Sequence, residues 1–169
     1  MELAEFLLRR GDGETNFRGV TMIYADMRSV DLRHTCLADA RLSNLDLRGA
    51  DLSYIDLVGA HINEVNLRGS HLFAAKLMRA TLRRVELSCA NLHAANLEGA
   101  DLAGIRLAAA QLAHANLRNA NLQGANLRSA NLTRADLRGA RLAGADLTDV
   151  IFNRTDLRGT GIDVPNDGM

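Results

Sequence analysis

The sequence predicts an all-β coil in which every fifth residue turns the chain and leucine and alanine fill a narrow interior. Three observations predict it. A large apolar residue recurs at every fifth position from Phe17 to Ile162, 30 successive positions without an insertion or deletion. An uncharged residue, mostly small or β-branched, stands two positions before each of them. The other three positions are mostly polar, charged or glycine, and an internal period of this kind sets the architecture of the whole chain.

We call the large apolar position the centre. It is Leu in 24 repeats; the other six are Phe17, Met22, Met27, Ile62, Phe152 and Ile162. The minus-two position is Ala in 17 of the 30 repeats, as at Ala90, Ala95, Ala100 and Ala115, and elsewhere Val, Thr, Ser, Ile or Leu. Minus-one is mostly acid or amide, as at Asp46, Asp51, Asn91, Asn96, Asn121 and Asn126. Plus-one is often Arg, as at Arg28, Arg48, Arg68, Arg118 and Arg128, and plus-two is often Gly.

A helix cannot carry this period. Five residues advance an α-helix by about 500°, roughly 140° beyond a full turn, so the leucines would wind around every face. An unbroken strand fails too, because side chains alternate and successive centres would point to opposite faces. A turn after each short extended piece repairs the pattern, and the frequent glycines supply it. Each repeat then forms one side of a coil, with centre and minus-two both pointing inward. One large and one small residue per side fit a narrow interior. That explains a chain that is 47% hydrophobic yet only 4% aromatic, with no Trp.

The segments ANLEG at 95–99, ADLAG at 100–104, ANLRS at 125–129 and ADLRG at 135–139 share the consensus A(D/N)LRG. This resembles the pentapeptide-repeat family, whose consensus is A(D/N)LXX, and the resemblance spans about residues 15–164. It implies a right-handed quadrilateral β-helix with four repeats per coil. Thirty repeats then make seven and a half coils, and stacking at about 4.8 Å gives a rod roughly 36 Å long. Residues 20 apart stack in columns, such as Leu37, Leu57, Leu77 and Leu97. Residues 2–10, within a 1–14 cap, read as a short amphipathic helix closing the first coil, since repeat rods need their ends covered. Residues 165–169 read as a loose tail.

The composition limits the functional classes. The chain carries 20 basic and 20 acidic residues, a formal net charge of zero. This argues against a strong field for nucleic acid or an anionic membrane. The start MELAEFLLRRGDG lacks the marks of a secretory signal, and no stretch reaches the length of a membrane helix, so a cytoplasmic protein is expected. Cys36 and Cys89 read as free thiols. His71, His93 and His114 climb one side without converging as metal ligands would, so no metal and no cofactor is expected. No phosphate loop, dinucleotide fingerprint or nucleophile–base pair occurs, so no enzymatic activity and no small-molecule substrate is expected.

The expected role is a rigid protein-interaction or scaffold module with an unidentified protein partner. Charge is uneven along the chain, and the middle is basic. There Phe73, Met78, Arg79, Arg83 and Arg84 form the candidate partner patch, mixing apolar and arginine side chains. The C-terminal end near Phe152 and Leu157 is the candidate homodimer contact. The family resemblance adds one alternative, regulation of DNA gyrase by DNA mimicry. That activity implies a strongly acidic surface, a C-terminal dimerising segment and in some members protruding loops. This chain is neutral, basic in its middle and free of loops.

Overall fold

Why a five-residue repeat should form a stable coil is answered by its backbone N–H groups, each of which needs an acceptor. The repeat Ala95–Gly99 shows the solution. The Ala95 N–H donates to the Leu92 carbonyl and closes a tight turn (3.0 Å). The Asn96 N–H donates to Ala75 in the coil before (2.9 Å). The Leu97 and Gly99 N–H groups donate to Asn116 and Arg118 in the coil after (2.7 and 2.9 Å). The Glu98 N–H is left over, and Asn96 Oδ1 of the same repeat accepts it (3.1 Å). The minus-one acid or amide is therefore the fifth acceptor of the repeat. The same local bond recurs from Asn16 to Asp156.

This pattern builds a coil of 20 residues. Parallel bridges pair each minus-one residue with the one 20 further on, from Asn16↔Cys36 to Asp136↔Asp156. Four repeats complete one turn, giving a right-handed quadrilateral β-helix. The computed structural model describes residues 1–162; the expected tail over 165–169 lies outside them. We number the four sides by their centres. Side 1 carries Met22, Leu42 and Ile62; side 2 carries Met27, Leu47 and Leu67; side 3 carries Leu32, Leu52 and Leu72; side 4 carries Phe17, Leu37 and Leu57.

Side 1 differs from the others in its first four coils. It pairs as parallel strands, β1 (Thr21–Asp26), β2 (Arg41–Asp46), β3 (His61–Asn63) and β4 (Thr81–Arg83), in that order. From the fifth coil onward the tight turn returns, with the Ile105 N–H donating to Leu102 (3.2 Å). There Ala103 and Gly104 replace the bulkier pair Arg83 and Arg84.

Centres and minus-two residues face inward through the middle of the rod. Leu92, Leu112, Leu117, Leu122 and Leu127 are fully buried, as are Ala90, Ala95, Ala110, Ala120 and Ala125. Burying a leucine stabilises by roughly 1.5–3 kcal/mol, so this interior is the main apolar term. Buried Ser70 satisfies its hydroxyl on the Leu67 carbonyl (2.7 Å). Buried Thr35 accepts from Arg10 Nε (3.2 Å).

The helix α1 (Leu3–Gly11) begins and ends one residue later than the sequence suggests. Its Phe6 is fully buried, with its ring 4.5 Å from that of Phe17 at the open end of the first coil. The Met1 amino group donates to the Thr21 carbonyl (2.8 Å) on side 1. Arg10 Nη2 donates to the Arg33 carbonyl (3.1 Å) on side 3. The helix thus crosses the coil mouth and is tied down at both ends. Among the described residues no helix is long and apolar enough to cross a membrane.

The turns go beyond what glycine content implies. Every plus-two residue from Gly19 to Gly159 has positive φ, whatever its identity. Ala109 sits at φ 55° and Gly124 at φ 66°. The left-handed region costs a residue with a Cβ roughly 1–2 kcal/mol, and glycine nothing comparable. Ala109→Gly is therefore expected to raise stability by about 0.5–1 kcal/mol, and Gly124→Ala to lower it by about 1 kcal/mol. Nothing lies within 4 Å of a Cβ placed on Gly124, so the change reads backbone conformation alone. Urea denaturation of the two variants checks both signs.

Candidate interaction surfaces

The outward positions of a regular coil stack in columns, so the chemistry of each side is set by residues 20 apart. On side 2, Arg28 grips Asp26 with both Nε and Nη2 (2.8 and 2.6 Å), and Arg48 does the same to Asp46. On side 4, Arg138 pairs with Asp136 and Arg158 with Asp156 in the same way. The acid of one coil also approaches the arginine of its neighbour, as with Arg138 and Asp156 (3.5 Å). Stacked arginines are thus separated by acids, which limits their repulsion. These are exposed ion pairs and add little to stability individually.

The five residues of the candidate patch do not form one surface. Each repeat turns the chain by a quarter of the coil, so Phe73 falls on side 3, Met78 and Arg79 on side 4, and Arg83 and Arg84 on side 1. Phe73 and Arg83, ten residues apart, stand on opposite sides. Arg84 is engaged by Glu64 in the coil below (2.5 Å). Met78 and Arg79 stay together. They line a shallow groove with Val58, Glu98, Gly99 and Asn119. The groove opens because plus-two on the next coil is glycine, and Arg79 leans over it: its Cγ would lie 3.8 Å from a Cβ on Gly99. Val58 and Met78 form the half-buried apolar floor, and Arg79 supplies an exposed cation.

Side 3 carries a feature that sequence reasoning missed. Five rings climb it in five successive coils. His34 stacks on Tyr54 (4.9 Å, 5°), and Tyr54 meets Phe73 edge-on (5.4 Å, 77°). Phe73 stacks on His93 (5.7 Å, 7°), and His93 meets His114 at a tilt (5.2 Å). Beside the last four rings the paired outward slot is small: Ser53, Ala74, Ala94 and Ala113. His71 occupies a different slot, minus-one on the same side. The signal was available in the 20-residue spacing, with ring positions alternating between plus-one and plus-two. Cys36 and Cys89 are free and lie on sides 4 and 2. Among the described residues no three His, Cys, Asp or Glu side chains converge as a metal site.

A continuous coil with an acid or amide before most of its leucines defines a class of protein. The chain belongs to the pentapeptide-repeat family: the profile of pentapeptide repeats matches in eight copies, over residues 13–39, 25–63, 40–77, 66–104, 105–142 and 125–160. No protein with a curated description matches it significantly. Among solved structures it is similar to trypsin-treated QnrB1, a plasmid-mediated fluoroquinolone resistance protein, at 19% identity and TM-score 0.47, over 86% of this chain and 74% of that one. It is also similar to Rfr23 from the cyanobacterium Cyanothece 51142, at 25% identity and TM-score 0.45, over 91% and 94% of the two chains. HetL, involved in heterocyst differentiation regulation in the cyanobacterium Nostoc sp. strain PCC 7120, shares 28% identity at TM-score 0.28, over 95% and 96%.

The ion pairs give a pH prediction. The guanidinium of Arg28, helped by its own N–H, holds the Asp26 carboxyl down to about 2, and Arg158 does the same for Asp156. A depressed folded-state value means the contribution is complete above the ordinary carboxylate value of about 4 and is lost as pH falls through about 2. Carboxyl NMR resonances of Asp26 and Asp156 should therefore titrate with midpoints near 2. Midpoints near 4 would show that the pairs do not persist in solution.

Proposed function

We propose that this protein is a non-enzymatic, rigid protein-interaction or scaffold module. The observation that supports the reading is the groove on side 4. There an apolar floor from Val58 and Met78 and a cation from Arg79 lie where the Val58 N–H is held by Asp56 and the Gly59, Arg79 and Gly99 N–H groups by ladder bonds. Rigid presentation of a few apolar and arginine anchors suits protein contact, because little ordering is left to do on binding. Of the patch expected from sequence, Met78 and Arg79 carry this contact. Phe73 belongs to side 3, and Arg83 and Arg84 to side 1.

Self-association through the C-terminal end belongs to the same reading. Leu147, Phe152, Leu157 and Ile162 are only partly buried, whereas the leucines of the middle coils are fully covered. A second copy docked there would cover them. Residence in the cytoplasm fits a chain with free cysteines and is part of this proposal.

The test is affinity capture from a cell lysate with wild type and a Met78→Asp, Arg79→Ala double variant, followed by binding of the purified partner. A saturable partner whose affinity falls by about tenfold or more in the variant is expected. No saturable partner would end the scaffold reading. A supercoiling assay runs alongside; stoichiometric inhibition of DNA gyrase would replace it with gyrase regulation. Sedimentation velocity should show a dimer that Phe152→Asp dissociates, and a monomer in both would remove the end contact.

A further inference from the structure

Side 3 above Asp51 carries no acid on its outward slots through residue 154. At the same height every other side does: Asp101 on side 1, Glu86 and Asp146 on side 2, Glu98 and Asp136 on side 4. The basic residues of this stretch are His71, His93, His114, Arg134 and Arg154. Arg134 and Arg154 are both exposed at plus-two of successive coils, at φ 57° and 56°, so their backbones are one coil spacing of about 4.8 Å apart.

That stacked pair differs from the acid-bridged arginine stacks of sides 2 and 4. Arg28 and Arg48 stack with Asp46 between them, and Arg138 and Arg158 with Asp156. Arg128 reaches Asp146 (3.5 Å) and Arg106 reaches Glu86 (3.8 Å). Among the described residues neither Arg134 nor Arg154 makes an ion pair. Two stacked guanidinium groups without an acid repel, and an anion supplied from outside would relieve that repulsion with charge-assisted, bidentate bonds. Below them on the same side lie the rings of Phe73, His93 and His114.

We propose that the upper part of side 3 docks an acidic polypeptide segment, its carboxylates on Arg134 and Arg154 and its apolar side chains along the edges of the Phe73 and His93 rings. The proposal rests on the interaction-module reading and names a second contact beside the groove. Polypeptide is favoured over single-stranded nucleic acid by the geometry of the rings. The rings stand one above another in successive coils, Phe73 with its centroid 5.7 Å from His93 and 5.4 Å from Tyr54, so neighbouring rings occupy the space that base stacking needs. Two arginines in the whole stretch are also too few to follow a phosphate chain.

The experiment is fluorescence anisotropy of the full chain with three labelled probes: an alternating Glu/Leu dodecapeptide, its Gln/Leu counterpart and an oligothymidylate. The Glu/Leu peptide should bind saturably, and the Gln/Leu peptide about tenfold more weakly or worse, since charge complementarity carries the contact. Arg134→Ala with Arg154→Ala should weaken Glu/Leu binding by about tenfold or more, and the control pair Arg41→Ala with Arg68→Ala, on sides 1 and 2, by less than about twofold. All four substitutions are exposed, and circular dichroism verifies the fold. Failure to bind the acidic peptide, equal loss in both variants, or equal affinity for oligothymidylate overturns the proposal. If the side 3 variant still captures the protein partner of the groove, the scaffold reading survives that outcome; if wild type captures nothing, the scaffold reading itself has failed.

Discussion

The hydrogen bond from the plus-one N–H to an acid or amide two residues earlier, made in most repeats, is the constraint on which much of the coil depends. Ladder and turn bonds account for four of the five N–H groups in a repeat, as Ala95–Gly99 shows, and the fifth has no backbone acceptor. A short side-chain oxygen at minus-one reaches it; a hydrophobe cannot. Where it forms, this bond closes an otherwise open corner and fixes the direction of the outward side chains. It explains why Asp and Asn dominate a surface position, where burial would not select them.

The interior follows from the same closure. With four sides fixed, the space inside admits one leucine and one alanine per side, and the columns of Leu and Ala are buried for the length of the middle coils. At the first coil, Phe17 meets Phe6 of the N-terminal helix. Bulk is placed where the coil ends and excluded where it is closed.

Much of this could be read from the sequence, because both inward classes repeat at a fixed spacing and neither tolerates charge. Centre and minus-two residues of the middle coils fall inside as their pattern requires. Turn chemistry could be read only in part: glycine marks some corners, yet Tyr54, Arg79 and Ala109 hold the same left-handed backbone. The surfaces were harder. Phe73, Met78 and Arg83 look adjacent at spacings of five, but each spacing turns a corner, and the first and last face opposite ways. Tyr54, Phe73 and His93, about 20 apart, are the true neighbours. Local sequence distance misleads on a coil; only the 20-residue column gives contact, and side-chain stacking decides between plus-one and plus-two.

Native-state hydrogen exchange tests the central constraint most directly. In the middle coils the amides of Glu98, Arg118 and Arg128 follow an Asn acceptor. Those of Met78, Ala108 and Ala113 follow Lys76, Arg106 and Gln111 and have no such partner among the described residues. The first three should exchange at least about tenfold more slowly than the second three, while the adjacent centre amides are protected alike in both sets. Equal exchange at all six plus-one amides would contradict the account, and the minus-one acids and amides would then need another explanation.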